Sequence, residues 1–191
     1  MAIFRKEADM QKWLSDELET ACGLADLIIN DDYIADFEAK TKEEIRFKAS
    51  FESCIKALYM NEVISIDENI SETKGEGLKP DFTLYAPDWE GIVLVELKNA
   101  KGATREAGTE LSAYACEIKT YMPLLSDGDL YNVIISPVWP TLIKHHIFHD
   151  IFWSQRNVIC LEPVEVSGKI KLRVVDIPTL LAADTAMKIS D

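Results

Sequence analysis

The sequence predicts an α/β protein with an αβββαβ core, in which a mixed central sheet is flanked by helices and an acidic helical appendage precedes it. Three observations carry this. Two strand-sized runs, Asp81–Tyr85 and Gly91–Leu97, meet at Pro87-Asp88-Trp89-Glu90-Gly91, a stretch with the composition of a tight turn. Two segments of helical period bracket this hairpin, and Tyr131–Ser136 supplies a further apolar strand. The chain has 191 residues, 48% of them hydrophobic, enough to bury a substantial core. Residues 1–40 form the expected appendage and 41–191 the main domain.

Residues 7–28 read as an amphipathic helix or helix pair, with Met10, Trp13, Leu14, Leu24 and Ile28 at helical spacing and Gly23 as an interruption. The acidic stretch Asn30–Glu38 reads as a loop. Thr41-x-x-Glu44 is a capping box, opening a helix to about Met60. At about 100° per residue, Ile45, Ala49, Ile55 and Tyr59 fall on one stripe of that helix, with Glu52 in its middle. An acid on a buried face needs a partner. Val63–Asp67 reads as a strand and Ser71–Lys79 as an exposed loop. After the hairpin, a helix from about Thr104 to Met122 has Ala107, Leu111, Tyr114, Ala115 and Ile118 as its inner stripe. Pro140 begins a helix to about Trp153. Val158–Glu162 and Lys169–Val175 pair around Ser167-Gly168, and Pro178 starts a terminal helix.

The hairpin carries the chemistry. A turn centred near Asp88 and Trp89 places Asp81 opposite Glu96. Alternation along the strand puts Glu96 and Lys98 on one face and Leu97 on the other. Two carboxylates and one ammonium therefore gather at one end of one sheet face. Close carboxylates repel unless a cation lies between them, and hard oxygen donors favour Mg²⁺ or Mn²⁺. Such a group suits metal-assisted attack of water on a phosphodiester. Lys101 and Arg105, just past the strand, are placed to meet backbone phosphate, and Thr104 can cap the following helix.

Pro80-Asp81, followed fifteen residues after the Asp by Glu96-Leu97-Lys98, resembles the motif of the PD-(D/E)xK nuclease superfamily, the restriction-endonuclease-like fold. The resemblance covers roughly residues 41–136. It implies a DNA nuclease in which Asp81, Glu96 and Lys98 are catalytic. It also implies that Asp81, Glu96 and the Leu97 carbonyl ligate the metal. Many members carry an acid on the helix before the sheet, aimed at the metal, and Glu52 takes that role here. Glu110-x-x-x-Tyr114 is similar to the Gln-x-x-x-Tyr of one branch of the superfamily and would contact nucleic acid, although Glu in place of Gln repels phosphate. In this reading Lys98 lies in a wet cleft and contributes little to folding. A homodimer would cut both strands at once, with Met10–Ile28 as its interface.

Charge and cysteine usage limit the alternatives. A net charge of −13 opposes simple electrostatic capture of nucleic acid. Residues 1–45 hold twelve acids against five bases, whereas residues 131–191 hold six of each, so the acidity lies mainly at the N-terminal end. The alternative is an idle or complex-dependent nuclease-fold module that binds a protein partner through its acidic N-terminal helices. Four scattered cysteines without C-x-x-C fit reduced thiols in the cytoplasm. No apolar run is long enough to span a membrane.

Overall fold

A hairpin of two short apolar strands lies at the centre of the computed structural model, which describes residues 3–71, 77–99 and 104–182, the side chains of 104–109 excepted. Helix α1 (Glu7–Leu18), a 3-10 turn at Leu24–Leu27 and α2 (Tyr33–Asp36) lead into α3 (Lys42–Ala57). Three strands follow, β1 (Glu62–Ile66), β2 (Phe82–Ala86) and β3 (Gly91–Leu97). Helix α4 (Thr104–Tyr121) and strand β4 (Leu130–Ile135) come next. Helix α5 (Thr141–Phe148) runs on into a π-helical turn, and β5 (Asn157–Val166), β6 (Lys169–Val174) and α6 (Ile177–Leu181) complete the chain. The strands form one six-stranded sheet in chain order. Pairing is antiparallel from β1 to β3, parallel from β3 through β4 to β5, and antiparallel again at β6. The fold is therefore α/β, with a mixed sheet flanked by helices.

Every residue of β3 and β4 is buried, as continuous apolar runs require when a strand is covered on both faces. Helices α1 and α4 pack on β3, and α3 packs on β4 and β5. The start of α3 matches its sequence signal. Thr41 Oγ1 accepts from the Glu44 N–H at 3.2 Å, and Glu44 accepts from the Thr41 N–H at 3.0 Å.

The buried face of α3 differs from the expected stripe. Phe47, Ser50, Phe51, Cys54 and Ile55 point inward, while Ile45 and Tyr59 are 56% and 51% exposed. Two phenylalanines one turn apart bury more apolar area than Ile45 and Tyr59 would, so they set the phase of the helix. Ser50 completes this face: its hydroxyl accepts from the Val158 N–H at 2.8 Å and donates to the Val158 carbonyl at 2.9 Å.

The N-terminal helices share the core of the sheet. Met10, Leu14, Leu24, Leu27, Ile28 and Ile34 are buried in the same cluster as the central strands. The apolar side chains of Met10–Ile28, the segment expected as a dimer interface, thus pack largely within the chain. Gly23 permits this packing, because a Cβ there would stand 2.4 Å from the Leu58 carbonyl oxygen. Ile28 bridges to Leu172, and the Asn30 side chain accepts from the Val174 N–H at 2.8 Å, which closes the open edge of β6. Two of the bases that alternate along β6 are engaged locally. Arg173 pairs with Glu162, and Lys171 donates to the Asp26 carbonyl at 3.3 Å.

Candidate active site

Strands β2 and β3 pair with Phe82 opposite Val95 and Ala86 opposite Gly91. One step beyond the ladder, this register sets Asp81 against Glu96, as the sequence predicts. The hairpin closes over a 3-10 turn at Pro87–Trp89 and over Glu90, whose φ of 48° is left-handed. Gly91 lies so close to β4 that a Cβ would stand 2.7 Å from the Asp129 carbonyl oxygen.

At the C-terminal end of β3 the charged side chains converge. Asp81 Oδ2 accepts from the Leu97 N–H at 2.7 Å, so the residue expected to offer its carbonyl orients Asp81 through its amide. Lys98 donates its backbone N–H to Ile135 at 2.9 Å, prolonging the β3–β4 pairing and fixing the direction of its side chain. The Lys98 Nζ then stands 2.5 Å from Glu96 Oε1 and 2.9 Å from Glu110 Oε2. Glu96 and Lys98 are only 3% and 5% exposed. Glu96 Oε2 is buried with no hydrogen-bond partner among the described residues.

Burial raises the Asp81 carboxyl to about 6. The Leu97 N–H opposes that rise, the Glu7 charge adds to it, Lys98 works against it and Asp67 adds to it. Glu96 is also pushed far above the ordinary carboxylate range, first by burial and then by Asp81, with Lys98 pulling the other way. Burial disfavours the Lys98 ammonium, but Glu96 and Glu110 outweigh it and hold the group charged. The Tyr114 phenol is pushed up by burial and by Glu96, Glu110 and Asp81. Glu7, Asp67, Asp81, Glu96 and Glu110 thus act on one region in which Lys98 is set.

The expected residues are distributed as follows. Asp81, Glu96 and Lys98 come together. Glu110 and Tyr114 join them but turn toward protein: Glu110 to Lys98, and Tyr114 to the Lys79 carbonyl, to which its hydroxyl donates at 3.1 Å. Glu52 does not join them. It follows the rotated phase of α3 to the outside, 3.9 Å from Lys48, and lines a surface groove with Asp31, Ile34 and Tyr59. Lys101 lies outside the described residues, as does the side chain of Arg105.

Glu7, for which the sequence alone suggests no role, also reaches this end of β3. Its Oε2 accepts from the Asn99 N–H at 3.4 Å, just past Lys98, while the Asn99 amide donates to the Phe4 carbonyl at 3.2 Å. No local spacing announces this, since the contact spans 92 residues.

A divalent cation suits this chemistry. The donors are hard oxygens, the buried Glu96 Oε2 has no hydrogen-bond partner among the described residues, and both central carboxyls resist ionisation even with Lys98 beside them. Among the described residues no three His, Cys, Asp or Glu side chains form a ready-made cage, so the fit rests on Asp81 and Glu96. No protein-family model matches the chain, and no curated protein matches it.

Proposed function

We propose that this protein is a nuclease of the PD-(D/E)xK type, hydrolysing DNA phosphodiester bonds with Mg²⁺ or Mn²⁺ at Asp81, Glu96 and Lys98. The observation that carries the reading is the buried Glu96 Oε2 beside Asp81, without a hydrogen-bond partner among the described residues, with the Lys98 ammonium adjoining. The hairpin register and the helix, three strands, helix, strand order from α3 to β4 support it.

Asp81 and Glu96 would hold the cation, with Glu7 as a nearby acid and the Leu97 carbonyl as the ligand implied by the resemblance. When bound, the metal supplies an acidified water and neutralises phosphate charge. Asp81 is oriented for this by the Leu97 amide. Lys98 donates from Nζ toward the oxygens of the reacting phosphate, where negative charge develops. The role the sequence suggests for Lys101 and Arg105, contact with the flanking phosphates, belongs to the same proposal. The four free cysteines suit a reducing compartment such as the cytoplasm.

The close Lys98–Glu96 contact favours one other reading, a resident ion pair in an idle site on a partner-binding module. Incubation with supercoiled, linear and single-stranded DNA in Mg²⁺, Mn²⁺ or EDTA separates the two. The nuclease reading expects cleavage in the metal lanes alone. Intact DNA in every lane favours the idle module.

A further inference from the structure

Glu110 and Tyr114 stand one helical turn apart on α4, and each reaches a different arm of the hairpin. Glu110 Oε2 lies 2.9 Å from the Lys98 ammonium at the end of β3. Tyr114 donates its hydroxyl at 3.1 Å to the carbonyl of Lys79, two residues before Asp81. The i, i+4 spacing puts both side chains on one face of a rigid rod, so the helix fixes the separation of their two targets. Neither group is well suited to phosphate. Tyr114 is 4% exposed with its proton already committed, and Glu110 carries the wrong charge.

We propose that Glu110 and Tyr114 are positioning residues that brace the hairpin, one holding the Lys98 ammonium and the other the backbone that leads into Asp81. The proposal deepens the reading of Asp81, Glu96 and Lys98 as the reacting centre and rests on it. Its consequence concerns Lys98. With Glu96 as sole acceptor, the ammonium and a cation would compete for one carboxylate. With Glu110 as a second acceptor, Lys98 keeps its place when Glu96 turns to the cation.

The test follows the Lys98 side-chain NMR signal and amide hydrogen exchange, with and without Mg²⁺, in the parent and in Glu110→Gln, Glu110→Ala and Tyr114→Phe. Glutamine keeps an acceptor oxygen but not the charge, so it separates bracing from electrostatics. In Glu110→Ala the Lys98 signal should differ from the parent's without metal and move to the position of a free lysine when Mg²⁺ is added. In Glu110→Gln it should stay near the parent's. Tyr114→Phe should speed exchange of the Leu97 amide about three- to tenfold while leaving Ile134 unchanged, as loss of one hydrogen bond implies.

A Glu110→Ala signal matching the parent's overturns the proposal, as does a Glu110→Gln signal matching that of Glu110→Ala. Faster exchange throughout Tyr114→Phe, which packing alone would give, also overturns it. If Mg²⁺ moves no signal in the parent, the metal-dependent reading fails. The metal-free comparison of Glu110→Ala with the parent then decides the brace by itself.

Discussion

Glu96 and Lys98 form a buried ion pair: Nζ lies 2.5 Å from Oε1, and the lysine and glutamate side chains keep 6% and 4% of their exposure. From the sequence alone this ammonium is expected in a wet cleft. Continuation of the β3–β4 pairing through Lys98 and the approach of Glu110 from α4 enclose it instead. A buried pair adds little net stability when intact, but removing one partner strands the other charge in a poorly solvated site.

Lys98→Met should therefore destabilise the protein, by about 3 kcal/mol at pH 8, where Asp81 is ionised and loses a cation that offsets its burial. The cost should shrink at pH 5, because Asp81, at about 6 in the folded protein, is mostly protonated there, whereas Glu96, pushed far higher, changes little between the two pH values. Urea unfolding at both pH values measures this, and equal costs would contradict it.

The Asp81 and Glu96 carboxyls should contribute more stability to the metal-free protein as pH falls. Asp81 and Glu96 have folded-state pKa values above their ordinary ones, Asp81 at about 6 and Glu96 higher. The folded state thus binds more protons than the unfolded chain. Stability from this source is full below about pH 4 and is lost as pH rises through about 6, with Glu96 extending the loss further. A divalent cation offsets that loss, so the rise in Tm on adding Mg²⁺ should be larger at pH 8 than at pH 5.5. A rise independent of pH would count against cation binding at these carboxyls.

Glu7 and Glu52 should behave oppositely. Glu7→Gln removes one charge that raises Asp81, so the Asp81 midpoint in an NMR titration should fall below about 6. Glu52→Gln should leave it unmoved and change stability by less than about 1 kcal/mol, since its contact with Lys48 is a partly exposed pair at 3.9 Å. A shift in Asp81 caused by Glu52→Gln would restore Glu52 to the site.

Local signals made much of the fold legible. The Pro87–Gly91 turn set the register that brings Asp81 to Glu96, Thr41 and Glu44 marked the start of α3, and Ser167-Gly168 marked the turn between β5 and β6. What was not legible depends on long-range packing. Choosing Ile45 and Tyr59 as the inner face of α3 overlooked Phe47 and Phe51, and the error carried Glu52 with it. The N-terminal helices looked detached because their partners, β3 and Leu58, lie far along the chain. Phe51→Ala should cost about 3–5 kcal/mol and Ile45→Ala less than about 1 kcal/mol, measured by denaturant unfolding.

The most direct measurement is nicking of supercoiled plasmid by the parent protein and by Asp81→Asn, side by side, in Mg²⁺ and in EDTA. Asparagine keeps the size of the side chain and an acceptor for the Leu97 amide, so the fold is preserved while the charge is lost. The account predicts nicking by the parent in Mg²⁺ only, and a loss of about a thousandfold or more in Asp81→Asn. Equal nicking by the two proteins, or nicking by the parent in EDTA, would contradict it.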